Sequence, residues 1–248
     1  MVPLNCKVTV ESFVKVNELL GKREQLQADL TSGMEVMDVI LRLNFGQFVT
    51  FQGNHANALS MLLCVRATLP QPLGPDCDAV FVDGGNLFDP YYISDRSVEH
   101  SLDTEKVLER LHVSRAFTHH QLACLITDKL PPAIKKFRAK LVVVSNITQL
   151  YRDPDIQDED KEDALRTFAK TVRKLASLAR QQKCLIIATN LESRNTLMDH
   201  ILTQAAHVAA TIEQKGNLIR FSLQKHPWLP PSTAVAPSLG IVTLESYL

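Results

Sequence analysis

The residues with the clearest chemical spacing lie between Gly53 and Ser60. An apolar run, Phe48-Val-Thr-Phe51, leads into Gln52-Gly-Asn-His-Ala-Asn-Ala-Leu-Ser60, and the apolar stretch Met61-Leu-Leu-Cys-Val65 follows. Strand, Gly-x-x-x-x-Gly-Lys-Ser/Thr, helix is the layout of a phosphate-binding loop. Its backbone N–H groups cradle phosphates and its lysine neutralises them. Gly53 and the Ser60 hydroxyl stand in their places, but Ala58 takes the second glycine position and Leu59 the lysine position. Two readings fit this window. It is an accident of strand-turn-helix architecture, or a nucleotide-binding frame that has lost its chemistry.

Three further apolar runs end on small or polar residues. Ala79-Val-Phe-Val82 stops at Asp83-Gly-Gly85, Lys140-Leu-Val-Val-Val144 at Ser145-Asn146, and Cys184-Leu-Ile-Ile-Ala188 at Thr189-Asn190. Short, wholly apolar runs suit strands buried on both faces of a parallel sheet, which binds ligands beyond the carboxyl ends of its strands. That layer would hold Gly53, Asp83, Ser145 and Asn190. With one carboxylate it is poorly equipped for acid–base catalysis.

Other candidates are weaker. His119 and His120 are adjacent, so on a helix they point about 100° apart, and no acid or cysteine is spaced to join them around a metal. The five cysteines (Cys6, Cys64, Cys77, Cys124, Cys184) are far apart and never form Cys-x-x-Cys, which argues against zinc and disulfide frameworks and for a reducing, intracellular compartment. Lys135, Lys136, Arg138 and Lys140, with Phe137 interleaved, form the clearest basic cluster. It reads as a nucleic-acid patch or as the solvated end of a helix. The segment 152–163 carries seven acids against two bases, which would repel a phosphate backbone or simply place acids at a helix N-terminus.

These residues need a scaffold, and the chain is long enough for one α/β domain with appendages: 248 residues, 45% hydrophobic and 22% charged, with Lys+Arg and Asp+Glu equal at 27. Such a balance leaves no global basic field, and no apolar run reaches bilayer length. Met34, Met37, Ile40 and Leu41 have helical spacing, as do Leu165, Phe168, Val172, Leu175 and Ala179 in a long helix expected over 160–182. Helices are also expected over 105–111 and 121–130, the second stopped by Pro131-Pro132. The alternating segment 218–223 is expected to pair antiparallel with 240–244 across the Pro-rich loop 227–237, with Trp228 packed near that edge. Strands alternating with helices predict an α/β fold around a mostly parallel sheet.

Several windows, in order, resemble RadA-type strand-exchange recombinases of the RecA superfamily over roughly 12–225. Phe13 and Val16 fall where the family's linker has Phe-x-x-Ala, and Thr31-Ser-Gly-Met-Glu-Val-Met-Asp-Val-Ile-Leu41 is similar to its Thr-Gly-x-x-x-Leu-Asp-x-Leu-Leu segment. Val80-Phe-Val-Asp83 with Phe88-Asp-Pro90, Val113-Ser-Arg-Ala-Phe117 running to His120-Gln121, and Leu141 to Arg152 follow the family's next three windows. The resemblance implies a RecA-type core over 31–248 with C-terminal antiparallel strands, preceded by a linker over 1–30. It also implies a phosphate lysine at Leu59, a water-activating glutamate at Gly85 and a magnesium aspartate at Ser145, none of which this chain has. The resulting expectation is an intracellular, non-catalytic RadA-like accessory protein with no cofactor and the loop residues Gly53, Ala58, Leu59 and Ser60 left empty. Its partner would be the active recombinase or a paralogue, docked through Phe13 and Val16. Self-association, weak DNA binding, a divergent ATPase and a single-stranded DNA-binding module are the alternatives.

Overall fold

The computed structural model describes residues 28–154, 156–191 and 196–237. Phe13, Val16 and the proposed linker as far as residue 27 lie outside them, as does 240–244, while Leu30, at the end of that linker, bridges Leu43 and is buried in the core. An eight-stranded sheet runs in the order β3-β2-β4-β5-β1-β6-β7-β8. Its strands are β1 (Phe48–Gln52), β2 (Ala79–Asp83), β3 (Leu111–Arg115), β4 (Leu141–Ser145), β5 (Leu185–Asn190), β6 (Val208–Lys215), β7 (Leu218–Lys225) and β8 (Ser232–Pro237). The first six are mutually parallel, and β7 and β8 close the sheet antiparallel. This is the α/β architecture expected from the buried runs.

Every residue of β1, β2, β4 and β5 is buried, because helices cover both faces. Alternate side chains enter different cores. Phe81, Val143 and Ile187 pack with α1 (Glu35–Leu41), α2 (Ala56–Ala67) and Ile93 of α3 (Pro90–Glu99). Val82, Val144 and Ile186 pack with α5 (His119–Cys124), α6 (Leu130–Phe137), α7 (Lys161–Gln182) and Leu202 of α8 (Leu197–Ala205). Phe168, Val172 and Leu175 hold α7 down, each by roughly 1.5–3 kcal/mol of burial. Eleven of the twelve residues of α2 are buried, which is why its sequence is apolar all round.

Four local expectations change. The helix before Pro131-Pro132 does not stop there: α5 passes through a π turn, Leu125–Lys129, into α6. Leu130 N–H bonds to Leu125 O, and this wider turn resets the register so that both prolines occupy the first turn of α6, where missing N–H donors cost little. The 105–111 helix is α4 (Thr104–Glu109), and Leu111 instead begins edge strand β3, whose mixed polarity hides it. The 218–223 segment pairs with β6 on one side and on the other with β8, inside the stretch read as loop. Trp228 is 61% exposed, and its ring meets His226 edge-to-face.

Two histidines accept backbone hydrogen bonds and therefore must be neutral. His207 Nδ1 accepts from Phe48 N–H at 2.9 Å, and His226 Nδ1 accepts from Trp228 and Leu229 at 3.1 and 3.2 Å. Burial first, then Arg180, pushes His207 below the ordinary 6.5. Burial does the same to His226, against the pull of the Leu41 carbonyl and with help from Arg42. His55, His100 and His119 are also depressed, chiefly by burial. A depressed histidine pKa means that the unfolded chain takes up the proton first. The associated stability is complete above pH 6.5 and is lost as pH falls through that value toward the folded pKa. Asp38, raised by burial, opposes the trend at lower pH. Urea midpoints are expected to fall between pH 7 and 5, and more gently in His207→Ala. An equal slope in the variant would remove His207 from the explanation.

Candidate functional site

The carboxyl ends of β1, β2, β4 and β5 bring together the layer Gly53, Asp83, Ser145 and Asn190, as parallel register requires. At β1, Gly53 takes φ +106, its N–H bonds to Asn190 O at 3.0 Å, and a Cβ there would collide with the Ile212 carbonyl. Close approach to β6 therefore requires glycine without reference to any phosphate. Asn54 seals the turn, its Oδ1 accepting Gln214 N–H at 2.8 Å and its Nδ2 donating to Gln214 O at 3.0 Å. Helix α2 already begins at Ala56, so Ala56, Asn57 and Ala58 are helical rather than open loop. Leu59 is 1% exposed within the α1–α2 core, and the Ser60 hydroxyl donates to Ala56 O at 2.9 Å.

Asp83 is the charged centre of the layer and is fully buried. Its Oδ1 accepts the Ser145 hydroxyl at 2.7 Å and the Leu87 N–H at 2.9 Å. Its Oδ2 accepts the Phe88 N–H at 3.2 Å and faces the Arg115 guanidinium at 3.2 Å. Burial alone would raise this carboxyl, but the hydrogen bonds from Leu87, Ser145, Phe88 and Gly85 outweigh it and hold Asp83 below its ordinary 3.8. Ser145 thus points at a carboxylate of its own chain. At Gly85 a Cβ would lie 2.8 Å from Asn146 Cβ and 2.9 Å from Leu87 Cδ1, so a side chain there requires its neighbours to move.

A second relay joins the ends of β4 and β5. Thr148 donates to Asn190 Oδ1 at 2.8 Å, Asn190 Nδ2 donates to Asp199 Oδ1 at 2.7 Å, and Arg152 reaches the same oxygen at 3.0 Å. Asp199 also closes a capping box with Thr196 at the start of α8. Asn146 Nδ2 bonds to Gln149, and its Oδ1 accepts Leu191 N–H at 3.4 Å. These groups border a cavity of about 570 Å³ lined by Gly85, Asn146, Gln149, Arg152, Asn190 and Leu191. Sequence reading found the layer but missed Thr148, Asp199 and Arg115, whose roles arise from contacts 32 to 47 residues apart.

The remaining candidates separate. His119 and His120, expected to point apart, instead bring their ring centroids to 3.9 Å at the first turn of α5, yet no group of His, Cys, Asp or Glu able to hold a metal occurs among the described residues. Burial pushes Cys64 up beyond the range of any reactive thiol, and Cys77 and Cys184 to about 11. Lys135, Lys136, Arg138 and Lys140 gather at the amino end of β4, opposite the polar layer. No helix among the described residues is long and apolar enough to cross a membrane.

The mostly parallel sheet, its buried β1–α2 turn and its antiparallel C-terminal strands define a RecA-like α/β core. The Rad51 family model matches residues 15–225, and the chain belongs to the Rad51 family. It is 24% identical over 191 residues to the DNA repair and recombination protein RadA of Cenarchaeum symbiosum (strain A), covering 73% of this chain and 46% of that protein. It is also 24% identical over 255 aligned positions to the human meiotic recombination protein DMC1/LIM15 homolog, covering 92% of this chain and 73% of that protein. The chain thus spans about half the length of the first relative.

Proposed function

We propose that this Rad51-family protein acts in recombination and repair as a non-catalytic accessory factor that binds an active recombinase or paralogue. One observation carries the reading: the groups at the strand ends are paired with one another. Ser145 bonds to Asp83, Ser60 to Ala56 O, and Thr148 and Asn190 to the Asp199 relay, while Leu59 lies in the core. A nucleotide needs a cation against its phosphates and open N–H groups around them. Here the β1–α2 turn offers no lysine, and Gly53 N–H is already bonded to Asn190 O. In this reading Phe13 and Val16 dock as an aromatic-anchored strand on the partner. Retention of the host's active recombinase by the full chain, lost in Phe13→Ala, is the expected result of a pull-down. Retention of neither would remove the partner reading.

The 570 Å³ cavity beside Asn146 and Asn190 supports a second reading, a divergent ATPase with a displaced site. Calorimetric titration with magnesium–ATP separates the two. The accessory reading predicts no heat of binding at micromolar concentrations, and a micromolar Kd would favour the enzyme.

A further inference from the structure

The basic cluster belongs to a larger rim. Helices α6 and α7 each end on a basic residue in the left-handed conformation, Arg138 at φ 52 and Lys183 at φ 50, whose N–H groups bond back to the helix. Glycine is the usual occupant of that position, because it has no Cβ to clash. Arg138 leads into β4 and Lys183 into β5, and these strands are direct neighbours, roughly 4.8 Å apart. Lys135, Lys136, Lys140 and Arg180 sit on the same rim. None of these six cations makes an ion pair among the described residues. The nearby carboxylates are occupied: Asp76 and Asp78 pair with Arg110 at 2.8 and 3.1 Å, and Asp78 bonds to His112 at 3.0 Å.

Helix dipoles account for a cation at each helix end, yet they do not account for six around the amino ends of two adjacent strands. The chain has no net charge, so the excess here is balanced elsewhere, notably by Asp153, Glu159, Asp160, Glu162 and Asp163 before and at the start of α7, beyond the opposite end of the sheet. A polyanion would be repelled from that end and drawn to this one. Of the exposed large hydrophobic residues, Leu73, Leu108 and Trp228 lie at the amino end of the sheet, in or beside the connections entering β2, β3 and β8, and none lies in the segments 135–140 and 180–183 that lead into β4 and β5. Protein interfaces are built around apolar and aromatic anchors with few charges at their core, whereas nucleic-acid interfaces are polar and strongly positive. The aromatic rings here are partly engaged: Phe137 stacks on His112 at 3.6 Å, and Lys140 Nζ lies 6.0 Å from the Phe45 ring. Base stacking would add little.

We propose that the amino-end rim Lys135, Lys136, Arg138, Lys140, Arg180 and Lys183 is a binding site for the phosphate backbone of nucleic acid, without sequence preference. The site is independent of the accessory reading and of Phe13. Fluorescence anisotropy of the full chain with labelled 30-nucleotide oligo(dT), and with a duplex of the same length, tests it. About four phosphate contacts to a single strand predict roughly fifty-fold weaker binding on going from 50 to 200 mM salt. The duplex falls more steeply with salt for the same contacts, so the preferred form is read from the tighter binding at one salt concentration. Lys135→Gln/Lys136→Gln/Arg138→Gln is expected to lose at least tenfold in affinity, while Lys170→Gln/Arg173→Gln on the solvent face of α7 retains it. Arg138→Gly relieves the left-handed strain, so it is expected to melt no lower than the parent while binding more weakly. Undiminished binding by the triple variant would overturn the proposal, as would equal affinity for polyglutamate, which would point to an acidic protein.

Discussion

Leu59→Lys, which restores the residue type of a phosphate-binding loop, is expected to destabilise the protein by about 3–5 kcal/mol without creating nucleotide affinity. Leu59 is 1% exposed and packs among α1, α2 and the antiparallel strands. An ammonium there must give up its hydration or its proton, and no described carboxylate is bonded within that apolar cluster to compensate. Because α2 begins at Ala56, position 59 lies inside the helix rather than at its mouth, so the long side chain starts from the wrong place to reach a phosphate. Urea titration with and without magnesium–ATP checks both parts. A variant as stable as the parent, with a melting temperature raised by ATP, would show that the lysine reaches an anion site and would revive the enzyme reading. Leu59→Met provides the control, since it keeps volume and polarity and should cost under about 1.5 kcal/mol.

Asp83→Ala is expected to cost about 2–4 kcal/mol. The carboxylate gathers the Ser145 hydroxyl, the N–H groups of Leu87 and Phe88, and the Arg115 guanidinium. Removing it leaves buried donors unpaired and a cation without its counterion. Asp83→Asn keeps one acceptor but turns an N–H toward Arg115, and it should fall between the two. The sign with pH follows from the depressed pKa. Stability from Asp83 is present above its unfolded value of 3.8 and is lost as pH falls through the lower folded value. The gap between parent and Asp83→Ala should therefore be constant from pH 7 to about 5 and close in stronger acid. A gap unchanged at pH 2 would show that the charge contributes nothing. Loss of recombinase retention in Asp83→Ala with folding intact would place the β2 end in the partner surface.

How far sequence reaches is visible at particular residues. The wholly apolar runs behind β2, β4 and β5 can be read directly, because burial on both faces leaves no polar position. The period of α7 is equally plain, since one face meets the sheet and the other meets water. Edge strand β3 escapes because half its residues face solvent. Strand β8 escapes because its alternation is interrupted by prolines and small residues. The helix through Pro131-Pro132 escapes because a π turn depends on the register of the whole helix rather than on its letters.

At Gly53 to Ser60 the division is sharpest. Residue order alone determines that a strand, a glycine turn and an apolar helix follow one another, and that no lysine stands before Ser60. It cannot decide whether Gly53 serves a ligand or the fold, since both uses demand the same missing Cβ. The tertiary structure decides it: the Ile212 carbonyl occupies the space a side chain would take, and the Asn190 carbonyl accepts the Gly53 N–H. Both partners come from strands more than 130 residues away, so only the assembled sheet reveals them.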